Sequence, residues 1–235
     1  MAKNQHFLIV PASGIGARMK GKIPKQYLKL NNGLSVLEQT LETLMKIEKI
    51  SGFVIVLAEQ DKYFSHSKFA QNSKLLSIAI GGKRRFDSVL AGLNSLKSVA
   101  KNDDWVLVHD AVRPCVAAAD VENLITQLEQ NPTGGLLATK VTDTIKQADN
   151  SGQITLDRSK LWQAQTPQMY RFGVLFEALE NVAKNDFSVT DEAGAIEYLG
   201  LKSLLVEGCK SNLKITTAAD LALANFYLSA NYYEN

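Results

Sequence analysis

The chain has 235 residues, of which 46% are hydrophobic and 21% are charged, and these proportions are typical of a globular protein with a substantial core. Its net charge of +2 gives no reason to expect binding to nucleic acid or to a membrane surface. No apolar run approaches the ~20 residues of a membrane span, and the polar start of the chain does not resemble a signal peptide. Cys115 and Cys209 lack metal-ligand spacing and indicate reduced thiols, so we expect a cytoplasmic location.

The first 140 residues alternate between strand patterns and helix patterns. Short apolar runs predict buried strands at residues 7–10, 53–58, 75–80 and 105–108. Helical spacing of apolar residues predicts helices at 36–50, 86–99 and 120–130, with a weaker helix pattern at 61–69. This alternation predicts an α/β fold, a Rossmann-like domain in which helices flank a mostly parallel, twisted sheet.

A different pattern begins after residue 140. Two short strand patterns flank the turn-forming cluster 149–152 and predict a β-hairpin within residues 143–156. A hairpin has little core of its own, so we expect an inserted arm, residues 141–158, that projects and packs on a second copy of the chain. Further strands are predicted at 161–164, 201–206 and 213–215, and helices at 172–183, 191–199 and 217–232. We expect a single domain over residues 1–235.

The loop after the first strand has the composition of an anion-binding turn. Four small residues should leave backbone N–H groups uncovered, namely Ala12, Ser13, Gly14 and Gly16, and Arg18 and Lys25 are among the cations that follow. The dinucleotide fingerprint fails because Met19 occupies its last position, and the P-loop pattern fails because residue 23 is isoleucine. The loop is therefore either a nucleotide-phosphate site of another kind or an ordinary strand-to-helix turn with solvated lysines.

Polar loops also follow the third and fourth predicted strands. In open α/β sheets ligands bind beyond the carboxyl ends of the strands, so these loops should place Arg18, Lys25, Arg85, Asp110 and Arg113 around one crevice. Asp110 could hold Mg²⁺ against phosphates, or it could cap a helix or pair with Arg113. Many cations, one acid and no evident nucleophile indicate phosphate chemistry that works by positioning and charge.

Taken together, several segments resemble the cytidylyltransferases that activate sugar or polyol phosphates with CTP, above all the 2-C-methyl-D-erythritol 4-phosphate cytidylyltransferase family of the non-mevalonate isoprenoid pathway. Single segments are weakly specific, whereas the ordered set is strongly specific. The segments that carry the resemblance span nearly the whole chain and lie at residues 11–19, 24–27, 81–82, 85–89, 108–114, 143–144, 157–158, 161–162, 166–168, 190–193, 207–208 and 212–216.

The resemblance implies a role for each matching residue. The predicted catalytic residues are Arg18, Lys25, Arg158 and Lys214. The predicted CTP-binding residues are Pro11, Ala12, Ser13, Gly14, Gly16, Gly82, Arg85, Ser88 and Asp110. The predicted residues around the polyol phosphate are Asp110, Arg113, Thr144, Arg158, Thr190 and Lys214. The resemblance further implies Mg²⁺ or another divalent cation, held mainly by the CTP phosphates with help from Asp110, and a homodimer in which Arg158 comes from the partner subunit.

The sequence departs from the family pattern at three positions and leaves two rival functions open. Ser13 replaces a common alanine, and Lys83 and Arg84 stand where the family often has acidic residues. The nearest rival is ribitol-5-phosphate cytidylyltransferase, which shares the first half of the pattern. A nucleotide-binding regulatory domain without catalysis is the second rival, but simple binding would need fewer cations than this set provides.

Overall fold

The computed structural model describes residues 4–14 and 23–229, and a seven-stranded sheet forms its centre. The strand order is β3-β2-β1-β4-β8-β5-β9, and β8 runs antiparallel to both of its neighbours while every other pairing is parallel. The strands are β1 (His6–Pro11), β2 (Ile50–Leu57), β3 (Leu75–Ile80), β4 (Trp105–Val108), β5 (Gly134–Lys140), β8 (Trp162–Arg171) and β9 (Leu204–Glu207). The predicted α/β fold class with a mostly parallel sheet is confirmed.

Helices cover both faces of this sheet. The helices are α1 (Val36–Met45), α2 (Arg85–Leu96), α3 (Ala118–Leu128), α4 (Phe172–Lys184), α5 (Glu192–Tyr198) and α6 (Ala218–Ser229). Alternate residues of β1 enter different cores: Leu8 packs with α1 and α3 on one face, and Ile9 packs with α2, α4 and α5 on the other. Because both faces are buried, the central strands are continuous apolar runs rather than alternating patterns.

Local sequence signals explain where several helices begin. Ser35 and Glu38 form the capping box that starts α1, with the Ser35 hydroxyl accepting from the Glu38 N–H. Asp191 starts α5 by accepting a hydrogen bond from the Gly194 N–H at 3.0 Å. These caps set the two helix starts that border the carboxyl ends of the strands.

Several elements differ from the sequence-based prediction, and the strand predicted at 161–164 extends from Trp162 to Arg171. The weak helix pattern at 61–69 forms two short 3-10 turns, because Asp61 and Ser67 accept hydrogen bonds from nearby backbone N–H groups and break the helical ladder. The predicted strand 213–215 is wrong: this segment is a loop whose Ile215 N–H bonds to the Val112 carbonyl outside any sheet. The predicted helix 36–50 ends at Met45, and β2 already begins at Ile50.

Strand β5 carries a pattern that sequence reasoning did not identify as a strand. It begins with two glycines, which are poor strand formers, and the packing around them explains their presence. A Cβ on Gly134 would lie 2.2 Å from the Met169 carbonyl oxygen, and one on Gly135 would lie 2.2 Å from the Leu204 carbonyl oxygen. Strands β8 and β9 therefore approach too closely for any side chain at these two positions.

The predicted hairpin is present as strands β6 (Lys146–Asp149) and β7 (Gly152–Thr155), which pair only with each other. All eight of their residues are exposed, including Ile154, whose exposed fraction is 62%. The arm therefore extends away from the sheet and contributes nothing to its two cores.

Candidate active site

The carboxyl ends of β1, β3 and β4 meet at one edge of the sheet and surround a crevice of about 500 Å³. Five described cations but just one described acid line it, so the crevice suits a polyanionic ligand. The lining residues are Pro11, Ala12, Ser13, Gly14, Lys25, Gln26, Gly82, Lys83, Arg84, Arg85, Ser88, Asp110, Ala111, Val112, Lys214 and Thr216.

The floor of the crevice is formed where the loop after β1 touches the loop after β3. The hydroxyls of Ser13 and Ser88 lie 3.0 Å apart, and the Gln26 side-chain amide donates to the Ala12 carbonyl at 2.7 Å. A Cβ on Gly81 would lie 2.5 Å from the Ser13 side chain and 2.8 Å from the Ser88 hydroxyl. Glycine is therefore required at this position for the segments to approach so closely. Because the Ala12 N–H already bonds to the Val56 carbonyl at 2.7 Å, the backbone predicted to be uncovered in this loop is not available at Ala12.

Asp110 lies at the centre of the positive charge. Its Oδ1 accepts from Arg85 Nε at 3.2 Å, and its Oδ2 lies 2.9 Å from Lys214 Nζ and 3.5 Å from Arg113 Nε. Burial would raise the pKa of Asp110, but attraction to these three cations outweighs burial and holds the pKa well below its usual range. Asp110 is therefore a carboxylate at any physiological pH, and pairing with Arg113, one of the alternatives left open by the sequence, does occur.

Lys25 and Lys214 enter the crevice from opposite ends of the chain. Lys25 Nζ donates to the Ile215 carbonyl at 3.0 Å, which ties the short helical turn at Lys25–Tyr27 to the loop that carries Lys214. That loop is fixed in turn by the Ile215 N–H on the Val112 carbonyl. The two lysines are thus placed together by a rigid framework of backbone contacts, although neither belongs to a long regular element.

Arg113 is buried behind the crevice wall rather than on its surface. Its Nη1 donates to the Asn212 carbonyl at 2.6 Å, and Asn212 itself donates to the Thr166 carbonyl at 2.8 Å. Among the described residues, Thr144, Arg158 and Thr190 lie outside the crevice lining, and all three are exposed. Arg158 Nη1 donates to the Thr142 carbonyl at 2.6 Å, within the arm of its own chain.

Two of the predicted residues, Gly16 and Arg18, lie outside the described residues. The other predicted CTP-binding residues all line the crevice, as do the predicted catalytic lysines. Sequence reasoning missed Gln26 and Thr216, which also line it, and Glu192, which lies behind Arg85. Glu192 was visible in the sequence as part of the 190–193 segment, but nothing local to that segment indicates its partner.

Neither His109 nor Cys115 has the environment of a reactive group. Burial lowers the pKa of the His109 imidazole to about 4, and its two nitrogens contact the Thr166 hydroxyl at 3.1 Å and the Arg113 carbonyl at 3.3 Å. Burial raises the pKa of the Cys115 thiol to about 12. His109 therefore serves as a neutral spacer that orders the loop around Asp110, and Cys115 is a packed thiol.

The donor set of the crevice fits a divalent cation that arrives with phosphates rather than one held by the protein alone. Within residues 4–14 and 23–229 no group of three or more His, Cys, Asp or Glu side chains could hold a metal ion. Asp110 is the one carboxylate in the described lining, and both of its oxygens contact cations. Mg²⁺ typically keeps one or two carboxylate ligands and takes the rest from water and phosphate, which matches this arrangement.

Chemically, the site can bring two anions together and stabilise charge that develops between them. The described residues supply several fixed cations at a concave surface, and they supply no pair of nucleophile and general base.

In the part of the chain that the structure describes, no helix is long and apolar enough to cross a membrane.

Comparison with known proteins gives the same family over nearly the whole chain. The family model described as 2-C-methyl-D-erythritol 4-phosphate cytidylyltransferase matches residues 6–230. A curated relative of that name from Vesicomyosocius okutanii is 58% identical over 236 residues, covering 96% of this chain and 98% of the relative. A further relative of that name, from Vibrio vulnificus strain YJ016, is 47% identical, covering 94% of this chain and 93% of the relative.

Solved structures agree with the sequence relatives. The crystal structure of the Francisella tularensis 2-C-methyl-D-erythritol 4-phosphate cytidylyltransferase matches with a TM-score of 0.80 at 37% identity, covering 94% of this chain and 99% of that one. A crystal structure described as 4-diphosphocytidyl-2C-methyl-D-erythritol synthase matches with a TM-score of 0.82 at 33% identity, covering 97% of this chain and 100% of that one.

Proposed function

The chain belongs to the 2-C-methyl-D-erythritol 4-phosphate cytidylyltransferase family, and we propose that the crevice around Asp110 is where it carries out the reaction of that family. The protein is a CTP-dependent cytidylyltransferase of isoprenoid precursor biosynthesis. It transfers the cytidylyl group of CTP to 2-C-methyl-D-erythritol 4-phosphate and forms 4-diphosphocytidyl-2-C-methyl-D-erythritol and pyrophosphate. The observation that carries the proposal is that Arg85 and Lys214 contact the Asp110 carboxylate in the same crevice that Lys25 lines, at the carboxyl edge of the sheet.

The reaction itself explains why no general base is needed. A phosphate oxygen of the substrate attacks the α-phosphorus of CTP, the new P–O bond forms, and the bond from the α-phosphorus to the pyrophosphate oxygen breaks. The attacking oxygen is already an anion, so the chief obstacle is repulsion between two polyanions. Fixed cations in a water-poor crevice reduce that repulsion far more than they would in bulk water.

We assign the nucleotide to the side of the crevice formed by the first loop. The loop from Pro11 to Gly14, with Gly82 and Ser88 opposite, would hold the cytidine and its phosphates. Arg18 and Lys25 would stabilise the charge that develops on the α-phosphate. Support for the role of Lys25 comes from its fixed position on the Ile215 carbonyl, beside the loop that carries Lys214.

We assign the polyol phosphate to the side formed by Lys214. Lys214 Nζ lies on Asp110 Oδ2, from which it can turn to a phosphate oxygen, while Arg113 stays behind Asp110. Thr144, Arg158 and Thr190 would complete this half of the site. Because Thr144 and Arg158 belong to the exposed arm, we propose that they reach the crevice of a second copy of the chain in a homodimer.

Mg²⁺ or another divalent cation is part of the proposal, with the CTP phosphates and Asp110 as its ligands. Such an ion would neutralise charge on the triphosphate and on the departing pyrophosphate. We also propose a cytoplasmic location, which is supported by two free cysteines and by a substrate, CTP, that the cytoplasm supplies.

Pyrophosphate release from CTP tests the function directly. We expect release with 2-C-methyl-D-erythritol 4-phosphate and Mg²⁺, much less with ribitol 5-phosphate, and loss of release when EDTA removes the metal. Turnover of ribitol 5-phosphate alone would reassign the substrate, and CTP binding without pyrophosphate release from either alcohol phosphate would favour a regulatory nucleotide-binding domain. Release that persists in EDTA would overturn the metal requirement.

A further inference from the structure

Glu192 is a fully buried carboxylate next to the crevice that the proposed reaction does not use. It is the first residue of α5 and has an exposed fraction of 0%. Burial of a carboxylate is costly unless it is paired and hydrogen-bonded, and here the partner is Arg85. Burial raises the pKa of Glu192, and the attraction of Arg85 opposes that shift.

The contact between these two side chains is bidentate. Arg85 Nη1 donates to Glu192 Oε1 at 2.6 Å, and Arg85 Nη2 donates to Glu192 Oε2 at 3.0 Å. The third edge of the same guanidinium, Nε, donates to Asp110 Oδ1 at 3.2 Å. Because a guanidinium is planar and its donors have a fixed arrangement, these three bonds determine its position and its orientation.

The residues on either side of Glu192 are both hydrogen-bonded to the sheet, Asp191 through its side chain and Ala193 through its backbone N–H. Gln168, on β8, donates to Asp191 Oδ2 at 2.9 Å and accepts from the Ala193 N–H at 2.8 Å. The Glu192 carboxylate is therefore a rigid reference point. Through Arg85 it links helix α5 to the carboxyl end of β4, where Asp110 lies.

This link divides the cations of the site into two groups. Arg85 contacts Oδ1 of Asp110, which leaves Oδ2 to Lys214 at 2.9 Å and Arg113 at 3.5 Å. Without Glu192, the charge of Arg85 would be unbalanced and its long side chain free to turn toward bound phosphates. Asp110 would then lose the contact that fixes the direction of its second oxygen.

We propose that Glu192 is a positioning residue for cytidylyl transfer, which holds Arg85 on Asp110 Oδ1 and keeps Asp110 Oδ2 aligned with Lys214. The inference rests on the proposed function of the crevice. It assigns Arg85 mainly to the alignment of Asp110 and only secondarily to contact with CTP. It also gives a chemical reason for an acid at position 192, behind a crevice whose described charges are mostly positive.

Glu192→Gln tests this proposal, with Glu197→Gln as the matched control. Both changes replace a glutamate by glutamine in helix α5, but Glu197 is exposed, whereas Arg85 contacts Glu192 and Asp110. We expect Glu192→Gln to lower kcat by about 10- to 100-fold relative to Glu197→Gln, the scale on which groups that orient a charged site residue act. The Kd for CTP, measured by calorimetry, should stay within about threefold of the wild type.

A double-mutant cycle separates positioning from simple loss of structure. If Glu192 acts through Arg85, the Arg85→Gln/Glu192→Gln protein should have the same kcat as Arg85→Gln, because the two losses share one cause. Losses that multiply, a kcat for Glu192→Gln within about threefold of the control, or a loss confined to CTP affinity would each overturn the proposal.

Arg85→Lys keeps the test decisive if Glu192→Gln does not fold. Lysine retains the charge but cannot bond to both oxygens of Glu192 and to Asp110 at once, so kcat should fall on the same scale, about 10- to 100-fold. Wild-type kcat in Arg85→Lys would contradict the proposal. Pyrophosphate release by the wild-type enzyme is measured in the same series, so failure of the proposed function would be seen before any variant is compared.

Discussion

Lys25 and Ile215 are 190 positions apart in the sequence, yet the Lys25 ammonium group donates to the Ile215 carbonyl at 3.0 Å. At the residue scale, this contact fixes one cation next to the loop that supplies another, Lys214. Charge that is held in place before the substrates bind stabilises a transition state without reorganisation during the reaction. Lys25 should therefore affect kcat more than it affects substrate affinity.

We predict that Lys25→Ala lowers turnover by at least ~100-fold, the scale of losing one preorganised charge-stabilising contact. The measurement is kcat from pyrophosphate release at saturating CTP and alcohol phosphate. Lys29→Ala is the control, because it also removes a lysine charge, four positions along the chain from Lys25. Lys29 is exposed, and its ammonium group lies 3.5 Å from the Glu38 carboxylate. Near-normal turnover of Lys25→Ala would refute the assigned role.

The buried His109 predicts a pH dependence of stability. Burial lowers its pKa from 6.5 to about 4, so between these values the unfolded chain binds a proton that the folded protein does not. The contribution of neutral His109 to the free energy of unfolding is fully present above about pH 6.5 and is lost as the pH falls toward 4. At about 1.4 kcal/mol per pKa unit, the loss is about 3 kcal/mol in total. His109→Asn should flatten this part of the profile.

Urea unfolding at several pH values between 7 and 4.5 would measure this dependence. The exposed His66 provides the control, since His66→Asn makes the same substitution at an imidazole that folding does not bury. An unchanged slope in His109→Asn would show that other groups cause the acid destabilisation. Because His109 contacts the Thr166 hydroxyl at 3.1 Å, the variant should also be less stable at pH 7.

At the scale of the elements, the arm and the short helix α5 act through other parts of the structure. Helix α5 supplies Glu192 to Arg85, and the arm projects away from its own sheet. The arm has eight exposed strand residues and lies outside both cores, so its own packing gives no reason for its existence. Arg158 is the last residue of the arm and donates to the Thr142 carbonyl at 2.6 Å. In the proposed homodimer, this exposed cation would meet a phosphate in the partner's crevice.

We predict that Arg158→Ala impairs use of the alcohol phosphate while CTP still binds. A charged hydrogen bond to phosphate is worth about 1.5–3 kcal/mol, so kcat/KM for 2-C-methyl-D-erythritol 4-phosphate should fall by about 10- to 100-fold. Lys160→Ala is the matched control, because Lys160 lies in the same short turn and its nearest acid is Asp157 at 3.8 Å. Loss of CTP affinity in Arg158→Ala would place Arg158 on the nucleotide instead.

At the scale of the whole molecule, the sheet provides one reactive edge, and in the proposed homodimer the arm would share that edge between two copies. The carboxyl ends of β1, β3 and β4 supply the crevice, and residues from the arm lie outside its lining. If two copies exchange arms, each crevice gains the cations that its own chain cannot supply. Activity and dimerisation should then be lost together.

We predict that Ile154→Lys weakens the dimer, because Ile154 is the large apolar side chain that the arm exposes, at 62%. Burial of such a side chain is worth ~1.5–3 kcal/mol, so the dissociation constant should rise by about 10- to 100-fold. Sedimentation velocity over a range of concentrations measures this, and turnover should fall with the dimer fraction. Gln153→Lys, on the opposite face of the same strand, is the control. A fully monomeric wild-type protein that keeps full activity would contradict the proposal.

Much of the fold was predictable because its signals are local. The strands around Leu8 and Val54 are continuous apolar runs, and the caps at Ser35 and Asp191 are short-range hydrogen bonds. Strand β5 was not predictable in this way, because its glycines reflect the close approach of Met169 and Leu204 from other strands. The apolar residues on either side of Lys214 favoured a strand at 213–215, and Ile215 is indeed buried, but three residues do not reveal whether their backbone joins a sheet.

The sequence by itself determined the alternation of strands and helices, the glycine-rich first loop and the set of cations that follow the strand ends, since each depends on residues close together in the chain. Only the tertiary structure decided which charges meet: Lys25 with the loop of Lys214, and Arg85 with Asp110 and Glu192. Partners in a crevice are chosen by packing between distant segments, and no periodicity or motif spacing encodes that choice locally.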